Sequence, residues 1–258
     1  MEKTKVLITG SNGIIGKVLW QGLIDAYDLY GLDVQGAQGD RTFQSDISNL
    51  EAVLEVVERV RPACIIHLAG NAKKEAGWDS ILKNNLIGTR NVYEAAKAHA
   101  VKRVIFASSN QVTSGYEKDL STRGLVSISD PVRPDSYYAT GKIFGEALAR
   151  QFYERYQLES ICLRFGLVLQ SDLPEPGRQE TVWLSHRDLV QVVRKSLEAP
   201  IGFGIYYAIS DNQNSRWDLS ATRQDLGYRP QDDGSKIGRL RRFRGKLGRR
   251  LSGSKKNE

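Results

Sequence analysis

With 258 residues, 40% of them hydrophobic and 26% charged, the chain has the length and composition of one globular domain around one sizeable core, and no apolar run approaches the ~20 residues needed to span a bilayer. The net charge of +7 is unevenly spread: residues 236–258 hold ten basic side chains and one acidic one, leaving 27 basic and 29 acidic over residues 1–235. A nearly neutral body argues against a nucleic-acid enzyme, and two cysteines, Cys64 and Cys162, both in apolar strand-like runs, argue against a disulfide framework and for a reducing compartment.

In chain order, Met1 to Lys5 run straight into an apolar stretch with no room for a secretory leader, so a cytoplasmic protein is expected. The run over 5–9 predicts a buried strand, the helical spacing over 14–24 a helix, and 29–33 a second strand, together a βαβ unit. Strands over 42–45, 63–69 and 104–108 alternate with helices over 49–60 and 78–98. A Ser-, Gly- and Pro-rich loop of about 27 residues follows, and loops of that length inside a compact domain usually carry function. Beyond it come a helix over 137–156, a strand over 160–165, an irregular stretch over 170–181, a helix over 186–197, a strand over 205–209 and a short helix over 217–226. Strands alternating with helices imply a parallel sheet with crossover connections. The expected architecture is therefore α/β, a Rossmann-like doubly wound parallel sheet forming one domain over 1–235, with a small C-terminal substrate-binding portion in 166–235. In the tail, Ile237, Leu240, Phe243, Leu247 and Leu251 fall three or four apart among Arg and Lys, the pattern of a basic amphipathic helix for an anionic membrane or an acidic partner. Gly238, Gly245 and Gly248 each disfavour helix by about 1 kcal/mol, which leaves a solvated, disordered tail as the other reading.

The first strand ends in Thr9-Gly10-Ser11-Asn12-Gly13-Ile14-Ile15-Gly16. Small residues between a buried strand and a helix let the backbone turn tightly and bring a dinucleotide's pyrophosphate to the helix N-terminus, where unpaired N–H groups and the dipole favour anions. Gly10, Asn12, Gly13, Ile14, Ile15 and Gly16 are therefore candidate cofactor contacts. Asp33 ends the second strand 23 residues after Gly10, where a carboxylate accepts from both adenosine ribose hydroxyls and repels a 2′-phosphate, so NAD is expected rather than NADP. Asp46 and Ile47 fit an adenine-edge contact, and Leu68, Ala69 and Gly70, closing the fourth strand at the same sheet edge, join the cofactor set.

Tyr138 and Lys142 stand at i and i+4 on one helical face. A second such pair, Tyr93 and Lys97, lies in a crossover helix ahead of Ser108-Ser109-Asn110 and reads as structural, whereas Tyr138 follows that strand at the C-terminal sheet edge where ligands bind. Oxidising an alcohol needs a base for the hydroxyl proton; an ordinary phenol near pKa 10 ionises too little at neutral pH, and a neighbouring ammonium corrects this. Ser109 would hold the substrate oxygen, Lys142 would also contact the cofactor, and Asn85 would support Lys142 through a water. His67, His99 and His186 lack ligand spacing, so no metal is expected.

Over nearly all of residues 1–233 these features resemble the extended short-chain dehydrogenase/reductases, the NAD-dependent epimerase/dehydratase family. More narrowly, Phe106-Ala107-Ser108-Ser109-Asn110, Tyr138 with Lys142-Ile143-Phe144-Gly145-Glu146, Trp183-Leu184-Ser185-His186-Arg187-Asp188 and Leu226-Gly227-Tyr228-Arg229-Pro230 resemble uronate dehydrogenase and the NAD-dependent glucose-6-phosphate dehydrogenases of the same fold. Glu75-Ala76-Gly77-Trp78-Asp79-Ser80 and Ser210-Asp211-Asn212 look closer to the latter. The resemblance implies NAD as cofactor and hydride leaving C1 of a cyclic sugar to give a lactone. It places Asn110 and Gln111 beside Ser109 and Tyr138 on the substrate, and Arg178 where uronate dehydrogenase holds the substrate carboxylate. A guanidinium forks onto carboxylate or phosphate alike, so an anionic sugar is implied; a homo-oligomer stays open. Two departures alter expected substrate hydrogen bonds: Gln111 replaces the family's histidine, and Leu167 a small polar residue. A nucleotide-sugar epimerase or dehydratase shares the glycine turn, Ser, Tyr and Lys, but fewer than 100 residues follow Phe165, short for its substrate domain. A non-catalytic NAD-binding protein with the tail as its contact is the other alternative, against which the intact Ser109, Tyr138 and Lys142 speak.

Overall fold

Strand β1 (Lys5–Thr9) shows how the sheet is buried on both faces. Val6 and Ile8 point into one apolar cluster with Leu19 and Leu23 of helix α1 (Ile14–Leu23), and Leu7 points into the other. That two-residue alternation between two helix layers makes the strand read as a continuous apolar run. The computed structural model describes residues 3–119 and 124–237, so the tail pattern beyond Ile237 lies outside the described residues.

The chain continues through β2 (Asp28–Asp33), β3 (Thr42–Gln44), α2 (Leu50–Val60), β4 (Cys64–His67), α3 (Trp78–Ile81), a π-helical turn (Leu82–Ile87) and α4 (Gly88–Ala98). Then follow β5 (Arg103–Ser109), a 3-10 segment (Asn110–Asp119), α5 (Tyr137–Tyr156), β6 (Glu159–Phe165), α6 (Arg178–Val182), α7 (His186–Glu198), β7 (Phe203–Ala208) and α8 (Ser220–Leu226). Seven strands form one sheet in the order β3-β2-β1-β4-β5-β6-β7, every pair parallel. The expected doubly wound sheet is the observed one. α1 and α7 pack on one face; α2, α4 and α5 supply Val53, Val57, Val92, Tyr93, Ala149 and Phe152 to the other. A third cluster, with Tyr116, Val126, Val182, Tyr207 and Trp217, gathers the irregular segments at the sheet's C-terminal edge.

Three helices start at side-chain caps: Asn49 accepts from the Ala52 amide, Ser136 from Ala139 and Ser185 from Asp188, each satisfying one of the first-turn donors. The strand order reverses direction between β1 and β4, and the crevice outside their C-terminal ends is where such sheets bind ligands. α5 is fixed there by a buried ion pair: Glu146 takes Arg164 of β6 through two bonds of 2.8 and 2.9 Å and also accepts from the Ser108 hydroxyl at 2.5 Å. Arg164 in turn donates to the Tyr207 hydroxyl, which meets Thr113, and Thr113 donates to the Asn110 carbonyl.

The structure departs from the sequence expectation at a few elements. The helix expected over 78–98 is interrupted by the π-helical turn, and β4 stops at His67, releasing Leu68, Ala69 and Gly70 into the crevice. The start of the long loop is 3-10 helical, with a break at Thr113 (φ −121°, ψ 20°). Among the described residues no helix is long and apolar enough to cross a membrane, and no group of three or more metal-ligating side chains occurs.

Candidate active site

One cavity of about 960 Å³ runs along the crevice from the end of β1 to α6, at the upper end of the range for small-molecule sites. Its inner end is the glycine turn. α1 has Gly13 as its N-cap, with no side-chain cap, so no side chain takes the N–H groups of its first turn, which are of the kind that bind anions. Gly10 has φ +74°, and a Cβ there would lie 2.8 Å from the Ala69 nitrogen; at Gly16 it would lie 2.4 Å from the Gly10 carbonyl. The turn is thus a backbone cradle that side chains would fill. Asp33 lies across from it with one carboxylate oxygen accepting from the Asn12 amide and the other from Gln35, both at 2.9 Å, which fixes its orientation and leaves lone pairs for two adjacent hydroxyls. Asn12, Ile14, Ile15, Leu68, Ala69 and Gly70 also line the cavity, as do Asp46 and Ile47. The Asp46 carboxylate is engaged by Ser48 and by Lys83 at 3.0 Å, and these bonds hold it below the usual carboxylate range against the effect of burial.

Behind the cradle, buried His67 joins Thr9 (2.8 Å) and Thr89 (3.1 Å) through its two ring nitrogens. Burial, with the nearby Lys142 charge, pushes its pKa down to about 3. The ring is neutral and ties β1, β4 and α4 together.

The middle of the cavity holds Ser109, Tyr138 and Lys142. Ser109 ends β5, while Tyr138 and Lys142 sit in the first two turns of α5, on one face with Glu146. Lys142 is buried, its Nζ donating to the Ala107 carbonyl at 2.7 Å and lying 5.7 Å from the centre of the Tyr138 ring. Burial lowers the Lys142 pKa to about 8. Burial raises the Tyr138 phenol, opposed by its hydrogen bond to Ser109. The Tyr138 phenol thus stands in one cavity with a hydroxyl and an ammonium, the set needed to accept a proton from an alcohol. Asn85 does not line the cavity; from the π-helical turn its amide accepts from the Asn71 N–H (2.9 Å) and donates to the Asn71 carbonyl (3.0 Å), bracing the segment after Gly70.

At the outer end, the buried Asn110 Nδ2 and Gln111 Oε1 have no hydrogen-bond partner among the described residues. Arg178, at the start of α6, lines this end, with its guanidinium forked onto Glu117 at 2.8 and 2.6 Å. Lys74, also lining it, pairs with Asp135 at 2.6 Å.

The sequence pattern of the NAD dependent epimerase/dehydratase family matches residues 6–199. The chain belongs to this family. Its cofactor is NAD, and the uncapped α1 terminus, the glycine cradle and the doubly anchored Asp33 fit that dinucleotide. Among its relatives, an L-arabinose 1-dehydrogenase (NAD(P)(+)) from Haloferax volcanii is 32% identical over 90% of this chain and 98% of its own. An NAD-dependent glucose-6-phosphate dehydrogenase from the same organism is 30% identical over 90% of this chain and 95% of its own. A crystallised mutant of uronate dehydrogenase from Agrobacterium tumefaciens, complexed with NAD, superimposes with a TM-score of 0.82 at 29% identity over 92% of this chain and 88% of that one. The family expected from the sequence is the family found.

Of the expected site residues, all but Asn85 line the same cavity in this family member. Sequence reading passed over Glu117, Asn71, Lys74 and Asp135. No spacing rule reaches them, because three sit in irregular segments after β4 and β5 and the fourth, Asp135, directly precedes the cap of α5.

Proposed function

We propose that the protein is an NAD-dependent sugar dehydrogenase that oxidises the C1 hydroxyl of a small cyclic sugar to the lactone. The observation that carries this is the convergence of Ser109, Tyr138 and Lys142 in the cavity that starts at the α1 terminus, supported by relatives named for oxidising L-arabinose at position 1, glucose 6-phosphate and uronates. NAD bound there supplies the hydride acceptor and a positive charge near the reacting carbon. Ser109 orients the hydroxyl, Tyr138 as phenolate takes its proton, and Lys142 stabilises the phenolate. Asn85 keeps the Asn71 segment in place, and Asp33 selects the unphosphorylated ribose. The C1–H and O–H bonds break, a C=O bond forms, and the proton leaves Tyr138 for solvent. Relatives act on charged and uncharged sugars alike, so Arg178 alone does not choose between them.

The test is NADH formation over a panel of aldoses, uronates and glucose 6-phosphate, with Tyr138→Phe as the diagnostic variant. Tyr138→Phe is expected to bind NAD as the wild type does and to lose turnover by about 10²- to 10⁴-fold, the usual contribution of a positioned acid–base group. Turnover within a few-fold of wild type would remove Tyr138 from the reaction.

A further inference from the structure

Among the described residues, the cations at the sugar end of the cavity, Lys74 and Arg178, are already matched by carboxylates. We propose that Glu117, by occupying the guanidinium of Arg178, makes this protein select uncharged aldoses over hexuronates and hexose phosphates. The inference rests on the dehydrogenase reading above and names its substrate class.

Among the described residues the cavity is lined by three cations, Lys74, Lys142 and Arg178. Lys142 is committed to the Ala107 carbonyl beside Tyr138. Lys74 faces Asp135, and Arg178 faces Glu117 through the two-pronged geometry that a substrate carboxylate or phosphate would itself use. An anionic sugar reaching Arg178 must displace Glu117 or approach its charge, with Asp135 also within electrostatic reach of the guanidinium; like charge placed against a ligand is a means of rejecting it. Glu117 is held in position by its chain neighbours. Tyr116 is buried in the third apolar cluster, and Gly115 donates to the Arg133 carbonyl at 2.8 Å while the Arg133 amide donates to Val112 at 2.9 Å. These contacts fix the 3-10 segment that leads from Ser109 to Glu117.

The experiment uses the full chain, as wild type, as Glu117→Gln and as Glu117→Gln/Arg178→Met. NADH formation gives kcat/KM for L-arabinose, D-galactose and D-glucose against D-glucuronate, D-galacturonate and glucose 6-phosphate. Wild type is expected to favour the uncharged set by tenfold or more. Glu117→Gln is expected to shift the neutral-to-anionic ratio at least tenfold towards the anions, mainly through their KM, and the added Arg178→Met to abolish that shift. A wild type that prefers an anionic sugar, or a ratio unmoved by Glu117→Gln, overturns the proposal. If no sugar yields NADH, the dehydrogenase reading falls, and calorimetric titration of the NAD-loaded proteins with D-glucuronate and D-glucose still decides the role of Glu117. A tenfold gain for glucuronate relative to glucose in Glu117→Gln sustains it; equal ratios overturn it.

Discussion

Asp33 owes its orientation to two backbone amides. Asn12 and Gln35 each donate to one of its oxygens, which fixes the carboxylate where, in the proposed function, it meets the ribose hydroxyls and repels a 2′-phosphate. Asp33→Ala is expected to weaken NAD binding about 10- to 100-fold, the value of hydrogen bonds to a charged group, while NADP binding weakens less or improves; fluorescence titration with both dinucleotides checks it, and an unchanged NAD-to-NADP ratio would count against the contact. This residue was legible because its place is set by a regular strand counted from Gly10. Tyr138, Lys142 and Ser109 were legible for the same reason: helix and strand periodicity fixes their direction. Glu117 was not, since its meeting with Arg178, 61 residues later, depends on how two irregular segments pack. Asn85 was legible as a site-adjacent residue but not as the clamp on Asn71, which requires knowing where the chain goes after Gly70.

Among the elements, α1 does most to shape the proposed nucleotide site, and it does so by lacking a side-chain cap and by close backbone approach. A methyl at Gly16 would meet the Gly10 and Ser11 carbonyls at 2.4 and 2.6 Å, both backbone, so the turn itself must move. Gly16→Ala is expected to lower stability by about 1–3 kcal/mol, as overpacking does, and to lose most of the rise in melting temperature that saturating NAD gives the wild type; thermal melts with and without NAD read both. The alternation of strands and helices was legible throughout, because burial on both sheet faces yields unbroken apolar runs and helix faces yield spaced ones. The π-helical turn was hidden because a single widened turn within 78–98 leaves the surrounding helical spacing nearly intact. β4 looked longer in sequence than it is, since Leu68 and Ala69 are apolar where they pack against the core clusters and line the cavity beyond the last strand residue.

For the whole molecule, neutral His67 couples folding to pH. Its pKa is about 3 when folded and near 6.5 when unfolded, so between those values the unfolded chain binds the extra proton. Stability is therefore full above about pH 6.5 and falls as pH drops, by about 2 kcal/mol at pH 5 from this group. Asp46, Asp135 and Asp233, whose pKa values are lowered, contribute stability that is lost only at more acid pH. Urea denaturation at pH 7.5 and 5 should show a smaller loss for His67→Gln than for wild type; parallel losses would assign the acid sensitivity elsewhere. The Glu146–Arg164 pair has a different consequence at this scale. One carboxylate grips β6 and the residue next to Ser109, from the helix that also bears Tyr138 and Lys142. The three side chains of the proposed proton transfer therefore ride on a single stiff bracket, and on that proposal evolution towards new sugars has its freedom in the segments around Glu117 and Arg178, where change leaves the bracket in register.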